Sequence, residues 1–333
     1  MQKLIEVVRG PLVENIHIGS IMVVNSAGNT IAKAGDDFET YMRSSAKPLQ
    51  LIPLIETHCS DKFGFTNQEL AIMAGSHYGT FEHAETIAGI LKKLDLPIDA
   101  LQCGVHEPFS RPYAQELRAQ GKTPNELNNN CSGKHSAMLA LCKYFDWDLA
   151  SYLSPSHPVQ RLMLRTISEM AELDENNISI GVDGCGVPVF GFALSAMAVA
   201  FAKLGSPNKL PSERKLACEK VSSVMKGNPI MVAGEGALDT VLLSLPQAHV
   251  ISKIGAEAVF CFALPKKSWG VAVKIADGNP KMLGPVVIET LNQLGILNTE
   301  ELDSLNKYHK LALTNFAKTI VGEVRPAFSL ELF

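Results

Sequence analysis

In the segment RSSAKPLQ, Ser44 and Lys47 stand three residues apart, a spacing that on a helix puts both side chains on one face, one turn from each other. A serine hydroxyl attacks a carbonyl well only when a base takes its proton. A lysine desolvated among apolar residues has its pKa lowered enough to be that base. The start of a helix adds free backbone N–H groups and a positive dipole end beside a developing anion. The same four residues also read as the polar beginning of a buried helix, because S-x-x-K arises often by chance. Two later segments bear on the choice: Ser76-His77-Tyr78 within GSHYG, and Lys253-Ile254-Gly255.

S-x-x-K, then a second serine in S-x-Y, then K-x-G is the order found in serine hydrolases of the β-lactamase and penicillin-binding type, whose third element is a K-T-G strand. The cysteines carry a second theme. Cys131 in NNNCSGKHS and Cys185 in GVDGCGVP lie in loops, whereas Cys59, Cys142, Cys218 and Cys261 sit in ordinary helix or strand contexts and read as core thiols. Cys103, near His106, is open to either reading. Cys131 and Cys185, with His135 or Lys134, can hold zinc, which takes thiolate and nitrogen ligands. No C-x-x-C pair marks such a site.

These residues need elements to position them. Gly19–Gly35 reads as two short strands around the turn Ser26-Ala27-Gly28-Asn29. LQLIPLIET has helical apolar spacing with Pro53 as an irregularity, and Leu70–Ala74 runs into the GSHYG turn. Phe81–Leu94 and His157–Leu173 read as helices, and the polar loop GKTPNELNNN delivers Cys131 to a helix through SAMLALCKYF. NISIGVDGCGVPVF is strand-like on both sides of its glycine loop, Ala237–Leu245 reads as helix, and His249–Gly278 as strand, turn, strand, strand. Strands thus fall at both ends with helices between. The expectation is one α/β (α+β) domain over residues 1–333, with a helical lobe around 80–175.

Hydrophobic residues make up 46% and charged residues 19% of the 333, enough apolar material for a large core and against disorder. A net charge of −4 without a basic cluster argues against nucleic acid and anionic membrane as partners. Asp183 to Lys203 encloses no other charged residue, but Gly184, Gly186, Pro188 and Gly191 break its first half. It reads as a strand and loop feeding a buried helix rather than a membrane span. The N-terminus lacks a secretory signal pattern, and seven scattered cysteines do not form a disulfide framework, so a reducing cytoplasm is expected.

The strings VRGPLVENIHIGS, RSSAKPLQ, NNNCSGKHSAMLAL, HPVQR, GVDGCGVP and KIGAEAVFCFALP resemble the L-asparaginase II family, the rhizobial-type thermolabile asparaginases, over about residues 6 to 295. That resemblance implies a serine β-lactamase-like fold, hydrolysis of L-asparagine to L-aspartate and ammonia, and a homodimer. It implies two serine–lysine pairs, Ser44 with Lys47 and Ser76 with Lys253, and a zinc site at Cys131, Lys134 and Cys185. Arg43, His135 and Asp183 match positions lining the substrate pocket, where a carboxylate suits an α-ammonium and an arginine an α-carboxylate. On local context alone, Asp183 reads as a helix cap and Arg43 as a solvated charge. Two stretches depart from the family pattern. GSHYGTF replaces SHSGEP, which puts Tyr78, Thr80 and Phe81 near the entrance by Ser76, and GEGALDT replaces GTGRFDT, with Ala237 for a basic residue and Glu235 added. These leave room for a glutaminase or another amidohydrolase on the same fold. A non-catalytic zinc or amino-acid sensor would be expected to lose one of the two serines or two lysines, and all four are present.

Overall fold

Strand VFCFAL is buried at every position, because its two faces pack into different cores. Val259, Cys261 and Ala263 join one apolar cluster, while Phe260, Phe262 and Leu264 join the other. This period of two is the strand's own geometry, and it means the sheet is covered on both sides. In the computed structural model, which describes residues 1–333, twelve strands occur in chain order. They are β1 (Gln2–Arg9), β2 (Leu12–Asn25), β3 (Thr30–Ala34), β4 (Glu39–Tyr41), β5 (Ser179–Val182), β6 (Pro188–Ala193), β7 (Ile251–Gly255), β8 (Val259–Leu264), β9 (Trp269–Ile275), β10 (Leu311–Thr314), β11 (Ile320–Pro326) and β12 (Glu331–Leu332).

The main sheet runs β10-β11-β1-β2-β9-β8-β7, with β3 and β12 paired beside one end of β2. Its pairings are antiparallel, and chain segments from the two ends meet where β2 pairs β9, Ile21 opposite Val273. The expected sheet of N- and C-terminal strands with helices between is therefore observed. The sequence reading missed β1, the long extension of β2, β4, the last three strands and the helices Arg111–Ala119, Ser212–Gly227 and Leu283–Gln293. The first half of β2 turns Leu12, Val13, Ile16 and Ile18 outward and buries His17, so residue polarity does not track burial there.

The larger core lies between the sheet and the intervening helices. Helix Leu194–Gly205, the second half of the uncharged stretch, lies flush on the sheet. A Cβ at Gly270 of β9 would meet Ala198 O at 1.9 Å and Ala202 N at 2.4 Å. The helix is alanine-rich because larger side chains would hold it off the strands. No helix is long and apolar enough to cross a membrane. A second sheet, β4-β6-β5, is small. Its role is local: β4 and β6 hold the chain immediately before Ser44, and the β5–β6 turn carries Asp183 and Cys185.

Gly270→Ala should destabilise the protein by at least about 2 kcal/mol, since its Cβ would strike backbone rather than a movable side chain. Gly227→Ala, where a Cβ meets nothing within 4 Å, should change stability by less than about 1 kcal/mol. Equilibrium urea unfolding of the two variants compares them directly.

Candidate active site

The chain enters the site through a strained residue. Met42 N donates to Phe190 O of β6 at 2.8 Å, and Arg43 then adopts φ +51°. This left-handed conformation costs a non-glycine residue on the order of 1–3 kcal/mol and persists only where surrounding contacts enforce it. Those contacts are visible. Arg43 Nε donates to Asp183 Oδ1 at 3.0 Å, and a terminal guanidinium nitrogen lies 2.9 Å from the same oxygen. Ser44 follows on a short 3-10 turn, Arg43–Ala46, that passes into helix Lys47–Glu56. Ser44 and Lys47 are thus on one turn, as the spacing suggested, although the helix proper begins at the lysine.

Strand β7 lies directly against that turn. Ser45 Oγ donates to Lys253 O at 2.8 Å. A Cβ at Gly255 would meet Met42 O at 2.7 Å, so the third position of the Lys253-Ile254-Gly255 motif has to be glycine. The GSHYG segment approaches from the other side. Ser76 N donates to Val232 O and Tyr78 N to Ala233 O, each at 2.7 Å. A Cβ at Gly75 would strike the same backbone at 2.7 Å.

Lys47 and Ser76 meet here, a pairing that spacing alone did not suggest, while Ser44 lies on the adjoining turn and Lys253 on the strand against it. Lys47, fully buried, donates to Ser76 Oγ at 2.9 Å and to Asn130 O at 3.0 Å. Burial lowers its pKa; the nearby Cys131 and Cys185 sulfurs oppose the shift and the Lys134 charge adds to it. Lys253, also fully buried, donates to Ile254 O at 2.9 Å and lies 3.4 Å from Asp239 Oδ2. Burial brings its pKa down to about 8, Asp239 resists the fall and the Lys47 charge adds to it. Asp239 also accepts from Ser252 Oγ and Ile254 N, each at 2.9 Å. The sequence reading did not single out Asp239; it stands unchanged in GEGALDT where the family pattern also has aspartate, and that was its signal.

The second theme forms a contiguous cluster beside these lysines. Lys134 Nζ donates to Cys185 Sγ at 3.1 Å and lies 3.9 Å from Asp183 Oδ2. Cys131 donates a hydrogen bond to Cys185, and with the Lys134 ammonium this overcomes burial and holds the Cys185 thiol down to about 5. Sharing that bond and being buried pushes Cys131 the other way. Burial alone would depress Lys134, but the sulfurs and Asp183 outweigh it and its pKa rises. Asp183 is held below the usual carboxylate range by Lys134, Gly184 N–H and Arg43, against the effect of burial.

This donor set suits zinc. Two soft sulfurs, a lysine nitrogen that becomes a donor once it gives up its proton, and a neighbouring carboxylate converge in a buried place. No three His, Cys, Asp or Glu residues group as a metal site, and the third donor here is an amine outside those types. His135 is fully buried. Its Nδ1 lies 2.6 Å from Tyr152 Oη, its Nε2 has no partner, and burial lowers its pKa to about 3. The remaining thiols, Cys59, Cys142, Cys218 and Cys261, are buried, and Cys103 joins the same core with Sγ near Glu126 O.

The two stretches that depart from the family pattern touch, at a glycine both patterns share. A Cβ at Gly234 of the GEG loop would meet the Tyr78 ring at 2.4 Å, and Tyr78 stacks edge-on to the exposed Phe109. Phe81 is exposed and lines a separate groove with Tyr113 and Leu117.

Residues 5–326 match the family model of L-asparaginase II. The chain belongs to that family. No curated protein matches the sequence. Among solved structures, Mglu in its native form in the presence of 4.3 M NaCl is 14% identical with a TM-score of 0.45, covering 84% of this chain and 61% of that one. Mglu in its native form is 15% identical at a TM-score of 0.45, covering 84% and 64%. A β-lactamase from Mycobacterium bovis is 11% identical at 0.40, covering 84% and 95%. The chain spans less than two-thirds of the length of the two Mglu chains. In this L-asparaginase II member Lys47, Ser76 and Lys253 are buried, and Ser44 stands on the turn that leads into Lys47.

Proposed function

We propose that this protein is an amidohydrolase that cleaves the side-chain amide of L-asparagine through a covalent serine intermediate. The observation that carries the reading is the pair of fully buried lysines: Lys47 bonded to Ser76 at the foot of the Ser44 turn, and Lys253 on the strand docked against that turn. Family membership supports the substrate class.

Ser44 Oγ bonds to the amide carbon as its proton passes to Lys47, and backbone N–H groups at the start of the turn stabilise the oxyanion. The C–N bond then breaks. Ser76 and Lys253 deliver a proton to the leaving nitrogen, which departs as ammonia. Water attacks the ester, its proton restores Lys253, and Lys47 returns the first proton to Ser44 as aspartate leaves. Arg43 and Asp183 hold each other in the free protein. A bound amino acid carries the same two charges in the opposite sense, so its carboxylate takes the arginine and its ammonium the aspartate. Cys131, Lys134 and Cys185 would hold zinc, which when bound supplies a fixed positive charge that orders the pocket or positions substrate. The homodimer and the cytoplasm belong to the same proposal.

The Lys47–Ser76 bond favours a second reading in which Ser76 is the nucleophile and Lys47 its base. Ser44→Ala and Lys47→Met should each cut ammonia release from asparagine by at least about a thousandfold, as loss of a nucleophile or base does. Ester trapping by acid quench and peptide mapping should place the acyl group on the peptide carrying Ser44. Its appearance on the Ser76 peptide would select the second reading, and turnover above roughly a tenth of wild type in either variant would end the Ser44–Lys47 assignment.

Metal analysis of the reduced, purified protein should find about one zinc per chain, and less in Cys131→Ser and Cys185→Ser. Zinc-free protein as isolated would leave both cysteines without a ligand role.

Glutamine is one methylene longer than asparagine. With the amino-acid end anchored by Arg43 and Asp183, its amide overshoots Ser44, and a misplacement of roughly 1 Å costs about a hundredfold. Asparagine should therefore be preferred in kcat/KM by about that factor, and Asp183→Ala should narrow the gap. Comparable kcat/KM values for the two amides in the wild-type enzyme would favour the glutaminase alternative.

A further inference from the structure

Asp239 is a fully buried carboxylate that touches three consecutive residues of one strand. Oδ1 accepts from Ser252 Oγ at 2.9 Å, while Oδ2 accepts from Ile254 N at 2.9 Å and faces Lys253 Nζ at 3.4 Å. Two of these partners fix the carboxylate to the β7 backbone and to Ser252, so it cannot turn away from the third. Lys253 Nζ is held a second time, by Ile254 O at 2.9 Å. An ammonium has three N–H donors. Two are taken by Asp239 and Ile254 O, and one stays uncommitted.

A neutral amine held by the same two acceptors would present a lone pair in place of that donor. The neighbouring negative charge decides between the two, because it stabilises the charged form in a place where water cannot. Lys47 differs: its partners are a hydroxyl and a carbonyl, Ser76 Oγ and Asn130 O, neither charged. We propose that Asp239 is the positioning residue of the second serine–lysine pair, holding Lys253 as an ammonium so that Lys253 enters the reaction as a proton donor. This rests on the amidohydrolase reading above. In the acylation step the C–N bond breaks, a proton leaves Lys253 for the departing nitrogen, and Lys253 is left as a neutral amine beside Asp239 until water restores the proton.

The other titratable groups around the pair do not supply this charge. Cys261 lies opposite Lys253 across β7 and β8, with its thiol pushed up to about 12 by burial. Tyr78 faces Asp239 with its phenol raised by burial, and Lys47 and Cys131 act on Lys253 from a distance.

The sign of the pH effect follows. A proton donor works while it is protonated, so kcat should fall as pH rises through the Lys253 value, near 8. Removing the opposite charge lowers that value, so in Asp239→Asn the alkaline limb should move to lower pH. At the wild-type optimum kcat should drop by roughly a hundredfold, as for loss of a general acid, with KM for asparagine changed less than about threefold. Asp239→Glu, which keeps the charge, should recover part of kcat and return the limb towards the wild-type position. An unmoved alkaline limb in Asp239→Asn, or a loss of kcat equal to the loss of folded protein, would overturn the inference.

Direct titration of the Lys253 Nζ signal in 15N-lysine-labelled full-length protein, assigned by its absence from Lys253→Met, supplies the second readout. Wild type should keep the ammonium to higher pH than Asp239→Asn, and coincident titrations would overturn the inference. Should wild type release no ammonia from asparagine, the amidohydrolase reading fails by itself, and the nitrogen titration still decides what Asp239 does to Lys253.

Discussion

Three lysines are buried in and around one site, and placing that much positive charge away from water is the constraint the surrounding structure answers. Each buried ammonium costs several kcal/mol unless opposite charge or hydrogen-bond acceptors replace the lost water. Lys134 is answered by the Cys185 sulfur and Asp183, and Lys253 by Asp239. Lys47 has only a hydroxyl and a carbonyl. These unequal answers put three residues of one type into three different electrostatic environments. Environment creates such differences where residue identity does not.

The framework around the lysines is built from close backbone approaches. Strand β7 reaches the Ser44 turn because Gly255 has no Cβ, and the Ser76 segment pairs with residues 232–233 because Gly75 has none. Arg43 keeps its left-handed backbone because its guanidinium is clamped by Asp183, about 140 residues later in the chain. That clamp does two things. It presents Ser44 on a fixed turn, and it stores a pair of charges matching those of an amino acid. On the proposed function, substrate binding and presentation of the serine are mechanically linked through this clamp.

The contact of Tyr78 with Gly234 joins the two stretches in which this chain differs from its family pattern. A bulky ring in one loop and a residue lacking Cβ in the other are a matched pair. The segment that carries Tyr78 also carries Ser76, and the GEG loop leads directly into the helix that carries Asp239. Any change in these two stretches therefore passes through backbone that also carries Ser76 and Asp239.

Residue types and local spacing sufficed for much of this. They marked Ser44 and Lys47 as sharing one turn, the helix Phe81–Leu94, the strand–turn–strand–strand run after His249, and the buried alanine-rich helix after Asp183, because each depends on periodicity or turn chemistry within a few residues. Loop context set Cys131 and Cys185 apart from the other thiols, and resemblance over nearly the whole chain added Lys134 as their expected companion and Arg43, His135 and Asp183 as expected pocket residues. Which lysine bonds to which serine was beyond reach. Ser76 is close to Lys47 only because the GSHYG segment pairs with Val232 and Ala233, a contact spanning half the chain's helices. Asp239 looked like any polar residue in the first turn of a short helix. Its importance comes from the packing of that helix on β7, which brings a carboxylate against a lysine where no water screens either charge.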